Sequence, residues 1–223
     1  MAVICIAGVA PGIGKTAVAE LVLRELGGRP RWGWHAARVR MADEIPEADA
    51  ARVHDEGYLL LSAPDALDDD AEVQRFLDAG ASGVTALVAE ARGLEAGLEA
   101  LLAVLPPDAN LLVEGNAYLW ARPADVAIMV VGTGPSGKGL ARVRPSTREI
   151  LDKVDLWAWN TRTDPTAEGF FEFPQALVRM GFRGAVSPRA DFHHVHPDRL
   201  NHAGNRRFLA ALRRRVGGSL GHA

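Results

Sequence analysis

The chain has 223 residues, 48% of them apolar and 24% charged, with a formal net charge of −3 at pH 7. That balance sets up no global basic field to recruit nucleic acid or an anionic membrane, and no apolar stretch approaches the roughly 20 residues needed to span a bilayer. No linker-like Ser/Pro/Gly tract, charge block or repeat divides the sequence, so a single domain over 1–223 is expected. Cys5 is the single cysteine and cannot pair within the chain, which fits a reducing, cytoplasmic setting.

The opening MAVICIAG lacks the basic leader of a signal peptide and runs straight into a glycine loop, so Val3–Ala7 reads as a buried strand. A helix follows over Thr16–Leu26, then a strand over His35–Val39 and an apolar run at Tyr58–Ser62. Acids at Asp68–Asp70 suit the start of a helix over Asp70–Ala79, where the helix dipole favours negative charge. Val84–Ala89 reads as a strand, Leu94–Leu105 as an amphipathic helix, and Asn110–Glu114 as a strand ending in an acid. Strands follow at Val126–Val131 and Leu156–Asn160, the latter after a helix around Thr147–Val154, with later helices at Phe173–Met180 and Asn201–Val216. Continuous apolar strands alternating with helices predict an α/β fold, a mostly parallel twisted sheet with helices on both faces. Ligands bind such sheets beyond the carboxyl ends of the strands.

The strongest local signal is ICIAGVAPGIGKTAVAELVLREL, an apolar strand entering a glycine loop, then Lys-Thr, then a helix. Glycines let backbone N–H groups turn inward as an anion nest, and the helix N-terminus adds its own. Lys15 can reach β and γ phosphates and the Thr16 hydroxyl can ligate Mg²⁺. Gly8, Pro11, Gly12, Ile13, Gly14, Lys15, Thr16 and Ala17 are therefore the expected nucleotide-binding residues. Gly8 and Gly14 are one residue further apart than in G-x-x-x-x-G-K-[ST], and Val9 stands at the usual glycine position.

That longer loop resembles the G-T-D-T-x-V-G-K-T loop of dethiobiotin synthetases, members of the SIMIBI group of P-loop NTPases. The string ending in Glu114-Gly115 is similar to the L-V-E-G of that family, whose Glu lies in the magnesium site. It also resembles the acidic strand end of the molybdopterin-guanine dinucleotide protein B family and of nickel-insertion GTPases. A carboxylate at a strand's carboxyl end beside a phosphate loop can hold Mg²⁺ directly or through water; an exposed strand-end Glu is the alternative. The resemblance thus implies Lys15, Thr16 and Glu114 as catalytic residues, with Thr16 and Glu114 on Mg²⁺. The strand ending at Asn160 resembles the family's G-W-V-A-N, whose Asn reads adenine, and implies ATP, with Asn160 and Arg162 on the nucleotide. Asn160-Thr-Arg-Thr and Thr161-Arg-Thr-Asp164 are also imperfect versions of the guanine-reading N-K-x-D, so GTP stays open, as does a turn or cap role for Asn160.

Elsewhere the chain departs from that family. Asn116-Ala-Tyr-Leu-Trp120 replaces its glycines, and Arg38-Val-Arg-Met-Ala-Asp-Glu44 replaces its substrate lysine. Arg38 and Arg40 suit an anionic substrate; a surface strand end is the plainer reading. Gly132–Gly139 lacks a Lys-Ser/Thr tail and reads as an active-site flap carrying Lys138, a third substrate candidate, with Arg142 and Arg144. Asp78–Val84 resembles the A-G-A segment of molybdopterin-guanine dinucleotide protein B. His193, His194 and His196, near His202, lie in what reads as a loop, without the companion ligands of a metal site. Arg206, Arg207, Arg213, Arg214 and Arg215 read as the solvated face of a terminal helix. Two functions follow as expectations. One is an ATP-dependent enzyme passing the γ-phosphate to a small anionic carboxylate or carbamate. The other is a nucleotide-switched cofactor-delivery or metalloenzyme-maturation protein with a protein client. Both resemblances imply a homodimer.

Overall fold

The computed structural model describes residues 1–27, 33–45, 47–53, 55–62, 71–132, 145–160 and 190–220. The expected helix at 173–180, the flap residues Lys138, Arg142 and Arg144, and Arg162 with Asp164 lie outside them. In chain order come β1 (Val3–Gly8), α1 (Lys15–Gly27), β2 (Trp34–Met41), α2 (Glu47–Ala50), β3 (Tyr58–Ser62), α3 (Ala71–Asp78) and β4 (Gly83–Ala89). They are followed by α4 (Leu94–Ala103), β5 (Asn110–Glu114), α5 (Asn116–Ala121), β6 (Val126–Val131), α6 (Pro145–Arg148), β7 (Leu156–Asn160), β8 (Asp191–Val195) and α7 (Ala203–Leu220).

The eight strands form one sheet in the order β3-β4-β2-β5-β1-β6-β7-β8. Neighbours run parallel except β3, which pairs antiparallel with β4 at one edge. Every residue of β1, β5, β6 and β7 is buried. Both faces of these strands are covered, and that is why they read as unbroken apolar runs. β5 returns between β2 and β1, while β6 lies on the far side of β1. The connection leaving β1 runs to β2 on one side and that leaving β5 crosses to β6 on the other, and a crevice opens at the carboxyl ends of these central strands. Among the described residues no helix is long and apolar enough to cross a membrane.

Polar side chains tie the other ends of the strands together. Asp125 accepts a hydrogen bond from the Val3 amide at 2.8 Å, and Asp155 accepts one from Ala127 at 2.9 Å. Asp155 and Asp191 also hold Arg215 at 3.2 and 3.1 Å, and Arg213 pairs with Glu25 of α1. Those two arginines join α7 to the sheet and to α1, so the terminal helix is more than a solvated basic face.

Three local expectations change. The helix expected over 147–154 stops at Arg148, and a 3-10 turn over Leu151–Lys153 follows. At three residues per turn, Leu151 and Val154 eclipse, and both bury ahead of β7. His193 and His194 lie on β8 rather than in a loop. The second strand extends to Trp34 and Met41, and its arginines are part of the sheet.

Asn205 closes the far edge of the fold. Fully buried, it accepts the His196 amide at 2.7 Å and donates to the carbonyls of His196 at 3.0 Å and Arg199 at 2.9 Å. Asn205→Ala leaves these backbone groups without partners, at a cost of about 2 kcal/mol. A melting temperature lower by roughly 4–8 °C is expected for a chain of this size, read by thermal unfolding.

Candidate nucleotide site

β1 delivers the chain to the loop at Gly8, and α1 begins at Lys15. The extra residue of the loop does not bulge. Val9 is buried, and its amide donates to Val130 of β6 at 3.2 Å, so it prolongs the strand and leaves Ala10–Ile13 as the turn. Gly12 and Gly14 adopt φ of +68° and +91°, the left-handed conformations that turn amides inward as an anion nest. Pro11 and Gly12 are exposed at the tip, whereas the Ile13 side chain is buried and Ala17 packs inside α1. Ile13 and Ala17 therefore offer a nucleotide their backbone only.

Two asparagines hold this loop from below. Asn116, the first residue of α5, brackets the Gly8 peptide: Oδ1 accepts its amide at 2.8 Å and Nδ2 donates to its carbonyl at 3.0 Å. Asn160, at the end of β7, donates from Nδ2 to the Ile13 carbonyl at 3.0 Å and is buried. A Cβ on Gly14 would overlap that amide group.

The acidic strand end lies where the sequence puts it. Glu114 is buried at the end of β5, its two oxygens 3.3 and 3.2 Å from the Thr16 hydroxyl. Arg38 is its register partner on β2 and brings Nε to 3.6 Å from Oε2. Glu72, from the first turn of α3, completes the group. It pairs with Arg38 and with Arg40, the latter at 3.0 Å, and its Oε1 lies 3.3 Å from Thr16 Oγ1. Burial raises the Glu114 carboxyl above its ordinary range, and the Glu72 charge adds to this; Arg38, Lys15 and the Thr16 hydrogen bond pull it back.

Around these residues is a pocket of about 370 Å³, a volume within the range of small-molecule sites. Its lining sets Lys15, Arg38, Arg40 and Arg75 against Glu44, Glu72 and Glu114. The Thr16 hydroxyl and the Glu114 carboxylate, whose oxygens lie 3.3 and 3.2 Å from it, are hard oxygen donors. They fit Mg²⁺, which takes one or two carboxylates and keeps its remaining positions for water and phosphate. Thr16 and Glu114 would hold it, and the ion would neutralise and orient phosphate oxygens.

Lys15, Thr16, Glu114, Arg38 and Arg40 are thus brought together, and Asn160 lies under the loop. Arg38 is not a surface strand end: it is buried between Glu72 and Glu114. Arg40 is half-exposed at the pocket. Sequence reasoning missed Glu72 and Asn116. An acid in a helix's first turn is generic, and the Asn116 bonds cross 108 residues of chain. On β8 the adjacent His193 and His194 point to opposite faces of the sheet. Among the described residues no three His, Cys, Asp or Glu groups gather as a metal site.

The sequence matches no protein-family model and no curated protein. In fold the chain is similar to HypB from Helicobacter pylori in complex with nickel, at 14% identity and a TM-score of 0.52, over 98% of this chain and 88% of that one. It is also similar to the hydrogenase maturation factor HypB from Archaeoglobus fulgidus, at 14% identity and a TM-score of 0.51, over 96% and 89%. That likeness is one of fold, a mostly parallel α/β sheet with helices on both faces, and nothing in it singles out dethiobiotin synthetases.

Two outcomes follow from this geometry. The raised carboxyl of Glu114 favours the folded state at low pH, and that contribution is lost as pH rises through the raised value. Glu114→Gln should therefore melt higher than the wild type at pH 7, with the gap closing below the ordinary carboxylate range, in a pH series of thermal scans. Gly115, with φ of +145° and the Val39 carbonyl where a Cβ would stand, turns the chain from β5 into α5. Gly115→Ala should lower the melting temperature by roughly 4–10 °C, since strain at such a φ adds to the clash.

Proposed function

We propose that the chain is a magnesium-dependent nucleoside triphosphatase of the P-loop kind, using a triphosphate to activate a small anionic substrate. The observation that carries the nucleotide reading is the convergence of Thr16, Glu114 and Arg38 beneath a loop with two left-handed glycines. In this reading the loop amides and Lys15 bind the β and γ phosphates, and Thr16 and Glu114 hold Mg²⁺. Catalysis is then positioning and charge stabilisation, with no protein nucleophile. The exposed part of Arg40 meets the substrate's carboxylate or carbamate, and Lys138 is a further candidate for that contact. Asn160 and Arg162 are the residues proposed to read the base, Asn160 by way of the loop it holds, and ATP is the favoured nucleotide.

A second reading takes the same site as the switch of a metallocentre-maturation protein. Its support is that both structures named above are HypB, one in complex with nickel and the other a hydrogenase maturation factor. Activation of turnover by a protein client, instead of by a small carboxylate, would favour it. In either case the working form is a cytoplasmic homodimer.

A thermal-shift panel with Mg²⁺ and ATP, ADP, GTP or GDP, run on the wild type and Lys15→Ala, tests the core of this reading. A ligand at a hundred times its Kd adds about 2.7 kcal/mol, roughly 5–10 °C here. The shift should appear in the wild type and be lost in Lys15→Ala. Adenine selectivity supports the synthetase-like reading and guanine selectivity the maturation reading. No shift with any nucleotide would overturn both.

A further inference from the structure

Glu72 is the pocket carboxylate that a P-loop and its acidic strand do not require. It comes from α3, not from a strand end, and each of its oxygens is engaged. Oε2 takes Arg38 and Arg40, and Oε1 faces the Thr16 hydroxyl at 3.3 Å. Two guanidinium groups on one oxygen and a hydroxyl on the other match the donors that a terminal phosphoryl group meets. Thr16 is also the side of the loop to which a γ-phosphate and its cation come. A carboxylate and a phosphate cannot share those donors, because like charges at contact repel strongly in a partly desolvated site.

We propose that Glu72 stands in the free protein where the terminal phosphate goes, so that a triphosphate displaces it from Arg38, Arg40 and Thr16 and a diphosphate does not. The inference rests on the nucleotide reading above. Glu72 thereby sets the preference between tri- and diphosphate: it lowers triphosphate affinity and, once displaced, passes Arg38 to the γ-phosphate oxygens and leaves Arg40 between phosphate and substrate. The side chain has room to leave, being 35% exposed. The helix behind it stays. Val73 and Phe76 are fully buried, and Arg75 pairs with Glu20 of α1. Displacement is a rotamer change at one position, with no refolding of α3.

The test is equilibrium titration of wild type, Glu72→Gln and Glu72→Asp with ATP and ADP, each with Mg²⁺ and with chelator, or with the guanine pair if guanine is preferred. Glu72→Gln should tighten the triphosphate about tenfold, a change of about 1.4 kcal/mol, with and without Mg²⁺, and leave the diphosphate within about twofold. Glu72→Asp keeps the charge one methylene short of the arginines and should give part of the same gain. Weaker binding of the magnesium triphosphate with unchanged magnesium-free binding would make Glu72 a metal ligand and overturn the proposal. Equal tightening of both nucleotides, or no effect of Asp, would reduce it to net charge and overturn it too. If the wild type binds nucleotide and the variants match it, this proposal alone falls; if the wild type binds none, the nucleotide reading falls with it.

Discussion

An ionisable pair taken almost wholly out of water governs this site. Glu114 and Arg38 face each other across the β2–β5 register, and both are buried. Withdrawing two charges from water costs several kcal/mol per ion, and their attraction recovers it only with good geometry and further hydrogen bonds. Here the guanidinium–carboxylate contact is 3.6 Å, longer than a charge-assisted hydrogen bond, and desolvation still pushes the Glu114 carboxyl upward. For the fold alone, a well-packed apolar pair of similar volume is often no worse. The arrangement makes physical sense for a site whose missing countercharge arrives with a ligand: a divalent cation against Glu114 removes the imbalance that burial creates.

The sheet order is what brings these groups together. β5 lies between β2 and β1, which sets Glu114 beside Arg38 on one flank and beside Ile6, two residues before the loop begins, on the other. A slip of one residue in either ladder would turn the carboxylate to the opposite face of the sheet. The register is fixed in turn at the far ends of the strands, where Asn110 and Asp125 accept the amides of Ala2 and Val3 at 2.8 Å each. Polar side chains at the amino ends and charged ones at the carboxyl ends therefore act on one object, the central ladder of β1.

Much of this was legible in the sequence, for a definite reason. Strands buried on both faces must be continuously apolar, and Asn110–Glu114, Val126–Val131 and Leu156–Asn160 read to the residue, as did the partly buried edge strand Tyr58–Ser62. β8 escaped because an edge strand written DFHHV, with only its last residue fully buried, shows no such run. The glycine loop and the acid beside it were legible as types of residue at the ends of strands. Arg38 was legible as a cation but not as a buried one, since HAARVRM gives no sign that its arginines meet carboxylates from elsewhere in the chain. Glu72 and Asn116 act through tertiary contacts 56 and 108 residues apart, and no local pattern encodes those.

The lengthened loop shows how a departure from a motif can leave its physics intact. A phosphate cradle needs a turn of fixed size whose amides converge, with a helix starting directly behind it. If the added residue had entered the turn, the nest would have widened and the lysine would have moved away from the helix axis. Val9 instead stays against the sheet just past the end of β1, buried and bonded to Val130. The residue usually occupied by glycine therefore has strand surroundings and tolerates a β-branched side chain, which favours that conformation. Gly8, now a full step earlier, is the residue Asn116 grips on both sides of its peptide, while Asn160 grips Ile13 on the other limb. The turn between those two grips keeps its ordinary length, and its shape is set by neighbouring strand ends before any phosphate arrives. A cradle ordered in advance spends less binding free energy on ordering itself, leaving more for distinguishing one phosphate ligand from another.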